Sequence, residues 1–113
     1  MIRIYHNPRC GKSRACLLFL EESGKEFQTI KYLENHPSVA ELTEIIKKLN
    51  IKPIALVRQK EKIWTDTFKN KVLSDTEIIQ AMVDNPILME RPIVINGEKA
   101  VIARPFEKAK SII

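Results

Sequence analysis

Glycine is scarce in this chain, with three residues among 113. No Gly-rich loop for cradling a nucleotide's phosphates can be built from so few. The two cysteines and two histidines are too few and too badly spaced for a metal site, so no metal is expected. No apolar run approaches the length of a membrane-spanning helix, so no membrane partner is expected. Arg3, Asn7 and Pro8 come too early to leave room for the apolar core of a secretory signal. The expected location is therefore cytoplasmic, where two cysteines are thiols rather than a structural disulfide. Acidic residues are also missing from the first twenty positions, Glu21 being the first.

What is present describes one globular domain, 1–113, with 44% hydrophobic and 29% charged residues. The formal net charge is +5. Beyond residue 20 the basic residues are interleaved with acids. The excess therefore reads as a local field for a small anion, and no nucleic-acid partner is expected.

The purely basic start contains Tyr5-His6-Asn7-Pro8-Arg9-Cys10-Gly11-Lys12-Ser13-Arg14. An apolar strand, Ile2 to Tyr5, leads in, and a helix-patterned segment, Lys12 to Ser23, leads out. Cys10 would sit at the amino end of that helix, where free N–H groups and the macrodipole favour a thiolate. Arg3, Arg9, Lys12 and Arg14 would add positive charge. Pro8 fixes one φ, and Gly11 lets the backbone approach a bound group closely. The physical reading is a reactive thiolate in a small anion site.

Further along, Ala15, Leu18 and Phe19 recur at helical spacing, with Cys16, Leu17 and Leu20 widening the apolar side. Phe27 to Tyr32 reads as a second strand, which completes a βαβ unit with parallel strands. Ser38-Val39-Ala40-Glu41 and Ser74-Asp75-Thr76-Glu77 fit capping boxes. They open helices striped by Leu42, Ile45, Ile46 and Leu49, and by Ile78, Ile79, Met82 and Val83. A short turn from Pro53 leads to Arg58, and Trp64 with Phe68 suggests a helix laid on the core. Residues 34–86 thus form a helical insertion. Pro92 opens a strand, Ile93-Val94-Ile95. Asn96-Gly97 signals a hairpin, with Lys99 to Ala103 returning antiparallel, and Pro105 starts a final helix. The order β-α-β, helices, β-β-α predicts an α/β thioredoxin-like fold with a four-stranded mixed sheet. In that fold a proline before the third strand, often cis, faces the cysteine, and Pro92 occupies this place.

His-Asn-Pro-x-Cys-Gly-x-Ser-Arg at 6–14 resembles the active-site segment of the glutaredoxin-linked, ArsC-type arsenate reductase family. The similarity continues through Tyr32-Leu33-Glu34, Leu56-Val57-Arg58, Asn85-Pro86-Ile87-Leu88, Arg91-Pro92-Ile93-Val94 and Arg104-Pro105. It spans nearly the whole chain in order. The resemblance implies that Cys10 attacks arsenate and that Arg58, Arg91 and Arg104 bind the oxyanion. It further implies that His6 supports the thiolate and that Ser13 lies in the same loop. Asn7, Gly11 and Pro92 complete the expected site. No bound cofactor is implied. Glutathione would serve as cosubstrate, attacking the cysteine–arsenic adduct, and glutaredoxin would resolve the cysteine–glutathione disulfide.

The chemistry suits these residues. A thiolate and an arsenate 4 Å apart repel by about 4 kcal/mol at an effective dielectric of 20. Guanidiniums stay charged, match oxyanion geometry and stabilise charge moving onto oxygen. Plainer roles remain for single residues: Arg58 ending a helix, Arg91 and Arg104 as strand-edge charges, His6 bonded to backbone, Ser13 capping the helix. Cys16, six residues after Cys10, is about 9 Å further along a helix, beyond disulfide reach, and reads as a small buried apolar residue. Two other functions share the motif. One is a thiol oxidoreductase acting on glutathione mixed disulfides or another oxyanion. The other is a redox-linked regulator that binds RNA polymerase, although such regulators carry a second cysteine where Ser13 stands.

Overall fold

The computed structural model describes residues 1–113. The chain divides into two compact units, Met1–Asn35 with Arg91–Ile113, and His36–Glu90.

The first unit is built on four strands: β1 (Ile2–His6), β2 (Phe27–Lys31), β3 (Ile93–Asn96) and β4 (Lys99–Ile102). They lie in the order β2-β1-β3-β4. β1 pairs parallel with β2, Ile4 opposite Thr29, and antiparallel with β3, Ile4 opposite Val94. Strand β4 returns antiparallel, Val94 opposite Val101. The β-α-β half is joined to the β-β half edge to edge, which is the thioredoxin-like fold expected. Because a side chain alternates faces along a strand, Ile2, Ile4 and Val94 share one side. They meet Cys16 and Leu20 of helix α1 (Gly11–Glu22), together with Ala103 and Ala109. Phe27, Val101, Phe106 and Ile113 close the rim of this core.

Three details differ from the sequence reading. The buried stripe of α1 is Ser13, Cys16 and Leu20, while Leu18 is 55% exposed. The helix is rotated so that a serine, not an alanine or phenylalanine, begins the buried face. In the hairpin, Asn96 pairs with Lys99, so Gly97 and Glu98 form the loop. Gly97 supplies φ 63° at the first loop position, the pattern of a type II′ turn, rather than Asn-Gly filling both central positions. The final helix is a 3₁₀ segment, Phe106–Ser111. The Arg91–Pro92 peptide is cis, as expected, and so is Arg104–Pro105.

The second unit holds α2 (Val39–Leu49) and α3 (Asp75–Asp84). Ser38 Oγ accepts the Glu41 N–H at the start of α2, which buries Leu42, Ile45 and Ile46. Asn50, at φ 55°, ends that helix. The Ser74–Glu77 capping box is complete in both directions at α3. A 3₁₀ turn, Pro53–Leu56, leads to Arg58. Between them the expected helix around Trp64 and Phe68 is a single wide turn, closed by Lys69 N–H on the Trp64 carbonyl at 2.9 Å. The two rings stack with centroids 5.4 Å apart. No helix of the chain is long and apolar enough to cross a membrane.

The rotation of α1 makes a direct prediction. Leu20→Ala should cost about 2–5 kcal/mol, the range for emptying a packed core site. Leu18→Ala should stay within about 0.5 kcal/mol. Urea unfolding of both variants, read by midpoint, checks the assignment; equal losses would contradict it.

Candidate active site

Strand polarity decides what gathers at one end of the sheet. The carboxyl ends of β1 and β4 and the amino end of β3 lie along the same edge. Cys10 follows β1, Arg91 and Pro92 precede β3, and Arg104 follows β4. Three residues far apart in sequence are thus brought to one edge by the pairing itself.

The loop between β1 and α1 is a compact turn. Asn7 carbonyl accepts the Cys10 N–H at 3.0 Å, and Asn7 Oδ1 accepts the Arg9 N–H at 3.0 Å. Cys10 is the N-cap of α1, with extended backbone at φ −96° and ψ 121°. Partial burial opposes ionisation of its thiol. The Ser13 N–H, the Arg91 charge, the Lys12 N–H and a hydrogen bond from the Arg91 side chain outweigh it, and the thiol lies below its usual value. The helix start acts as expected. The formal charge that adds to these N–H groups is not one of the local basic residues, however. It is Arg91, eighty positions away.

Ser13 is fully buried at the third position of α1. Its hydroxyl accepts the Asn7 N–H at 3.0 Å and lies 2.6 Å from His6 Nδ1. It therefore ties strand end to helix, rather than capping the helix from the N-cap position. His6 is 4% exposed, and its hydrogen bond is to Ser13, whose N–H in turn reaches the sulfur. Any support of the thiolate by His6 passes through that serine. Burial and the charges of Lys31 and Arg14 press the His6 pKa below 6.5, against the bond to Ser13, so the ring is neutral at pH 7. Gly11 is exposed, and a Cβ there would meet only Arg14 Nη2 at 3.8 Å. The chain itself does not require glycine at that point. Cys16 is completely buried and its thiol is pushed up to about 11 by burial. It is a core residue, as the spacing implied.

Arg104 is half-buried, and its guanidinium has no hydrogen-bond or ion-pair partner within the chain. Arg58 belongs to the second unit, next to Val57, which bridges to Met89. Its backbone N–H meets the Leu88 carbonyl at 2.7 Å, its Nη1 the Ile87 carbonyl at 3.2 Å, and Glu61 lies 3.4 Å from Nη2. Arg14, expected from the sequence only to add positive charge, makes a contact the sequence did not suggest: its Nη1 donates to the Pro8 carbonyl at 3.0 Å.

The ArsC family model matches residues 5–112. The chain belongs to the ArsC family. Within it, the chain is 45% identical to YfgD of Escherichia coli, an uncharacterised protein, over 99% of this chain and 96% of that one. It is 42% identical to an arsenate reductase of Haemophilus influenzae, over 97% of both chains. The solved arsenate reductase from Vibrio cholerae superposes with a TM-score of 0.94 at 40% identity, covering 99% of this chain and 97% of that one. These relatives and this ArsC chain match along essentially their full lengths.

His6 gives the site a pH signature. Its unfolded pKa is near 6.5 and its folded pKa lower. The unfolded state therefore takes up a proton first as pH falls, and stability held above pH 6.5 is lost on acidification through the folded value. In His6→Asn, which keeps a polar atom near Nδ1, this acid-side loss should flatten. Urea midpoints at pH 7.5 and 5.5 measure it; an unchanged pH slope would refute a neutral His6.

Proposed function

We propose that this chain reduces arsenate to arsenite, with Cys10 as nucleophile and thiols as electron source. The observation that carries the reading is that strand pairing brings Arg91 to the sheet edge where Cys10 opens α1, with the Arg91 charge among the influences that lower the thiol. The same cation that keeps the sulfur ionised can hold an oxyanion beside it. The unit bearing Cys10 has eleven basic and six acidic residues, against eight of each in the other unit. The whole excess charge thus lies in the unit that bears the proposed nucleophile.

The Cys10 thiolate attacks arsenic, an S–As bond forms, and an arsenate oxygen leaves as hydroxide, protonated to water. Arg91 and Arg104 stabilise charge on the remaining oxygens, and the family resemblance gives Arg58 the same task. A glutathione thiolate then attacks the Cys10 sulfur. An S–S bond forms, the S–As bond breaks, and its electron pair stays on arsenic, which departs as arsenite. Glutaredoxin takes the glutathione from Cys10 by thiol exchange and restores the thiolate. Cys16 is too deeply buried to do this, so the second thiol comes from outside.

Arsenate-dependent NADPH consumption, coupled through glutathione, glutaredoxin and glutathione reductase, tests the reading. Cys10→Ser should abolish turnover with the fold intact. Arg91→Ala, Arg104→Ala and Arg58→Ala should each lose roughly 10²–10³ in rate, as oxyanion donors do. No arsenate-dependent consumption, with rapid reduction of a glutathione mixed disulfide in the same mixture, would assign the thiolate to disulfide exchange instead.

A further inference from the structure

Between β1 and α1 the chain must turn and still present Cys10 in extended conformation above the first N–H groups of the helix. Pro8 has no N–H to contribute, and its carbonyl receives no backbone donor. It receives Arg14 instead. The Arg14 Nη1 reaches back six residues to that carbonyl at 3.0 Å, while the Arg14 backbone N–H donates to the Cys10 carbonyl, also at 3.0 Å. The guanidinium passes close over Gly11, with Nη2 3.8 Å from where a Cβ would stand. The side chain therefore holds the front of the segment 8–10, whose other end is fixed by the first backbone bond of the helix.

We propose that Arg14 is a positioning residue that clamps the Pro8–Cys10 turn and so keeps the Cys10 sulfur over the Lys12 and Ser13 N–H groups. It touches none of the reacting atoms. Its part is geometric rather than Coulombic: the cation that acts on the sulfur is Arg91, whereas the Arg14 charge acts on His6. If the clamp is removed, the Pro8–Arg9 peptide loses its tether. The Cys10 N–H bond to Asn7 then frays, and the sulfur drifts from its donors. Arginine suits the task, because its planar fork can span six residues while its stem stays in solvent. The inference rests on Cys10 being the nucleophile of the proposed reaction, but its test contains no arsenate. Failure of arsenate turnover and failure of the clamp are thus separate results.

The test compares wild type with Arg14→Met, which keeps length and loses the donors; Arg14 is exposed and the variant should fold. Thiolate absorbance against pH, and the rate of iodoacetamide alkylation, report Cys10. The Cys10 titration should move up by roughly half to one pH unit, the loss of about one hydrogen bond's influence. The shift should persist in 1 M salt, where the Debye length is about 3 Å. Amide exchange at Arg9 and Cys10 should accelerate at least about tenfold, the signature of local opening. An unchanged titration, a shift that vanishes in salt, or unaltered exchange would each overturn the clamp. Should Arg14→Met not fold, Arg14→Gln, too short to reach Pro8, replaces it with the same readouts.

Discussion

A single sulfur atom poised between a helix start and one guanidinium organises the first unit. Two N–H groups of α1 and the Arg91 side chain converge on Cys10 against the cost of partial burial. Neither contribution stands alone. The N–H groups are available because Cys10 is extended at the N-cap, and Arg91 is near because β3 runs antiparallel beside β1. The sheet is therefore part of the chemistry: it sets which residues share an edge.

Around the sulfur the polar groups are arranged in layers. Ser13 sends its N–H to Cys10, while its hydroxyl accepts the Asn7 N–H and pairs with His6 Nδ1. His6, neutral and buried, completes the network without adding charge. A buried hydroxyl with partners on both sides costs little and restricts the loop strongly. The same serine explains why α1 faces the core differently from its apolar pattern. The buried stripe begins with Ser13, then Cys16 and Leu20, so the residue serving the site also sets the helix's rotation.

Much of this was legible in the chain. The apolar run before His6, the two Ser-x-x-Glu boxes and the hairpin signal at Asn96-Gly97 placed the elements within a residue or two. Local motifs of this kind act through neighbours in sequence, and so does the helix start at Cys10. Ser13 misled the pattern because burial of a polar residue is decided by its partners, here His6 and Asn7. The final segment, Phe106–Ser111, reads as a helix by spacing, but the chain winds it as 3₁₀. The wide turn at Trp64–Phe68 likewise depends on ring stacking that spacing alone does not specify.

By itself the sequence determined the strand–helix junction, the thiol at its head and the order of the elements, because each follows from contacts between residues a few positions apart. Tertiary structure decided which cation faces that thiol. Four basic residues lie close to Cys10 in sequence, yet the one whose charge bears on the sulfur arrives with β3. Strand pairing, which joins residues eighty positions apart at a spacing of about 5 Å, outweighs proximity along the chain.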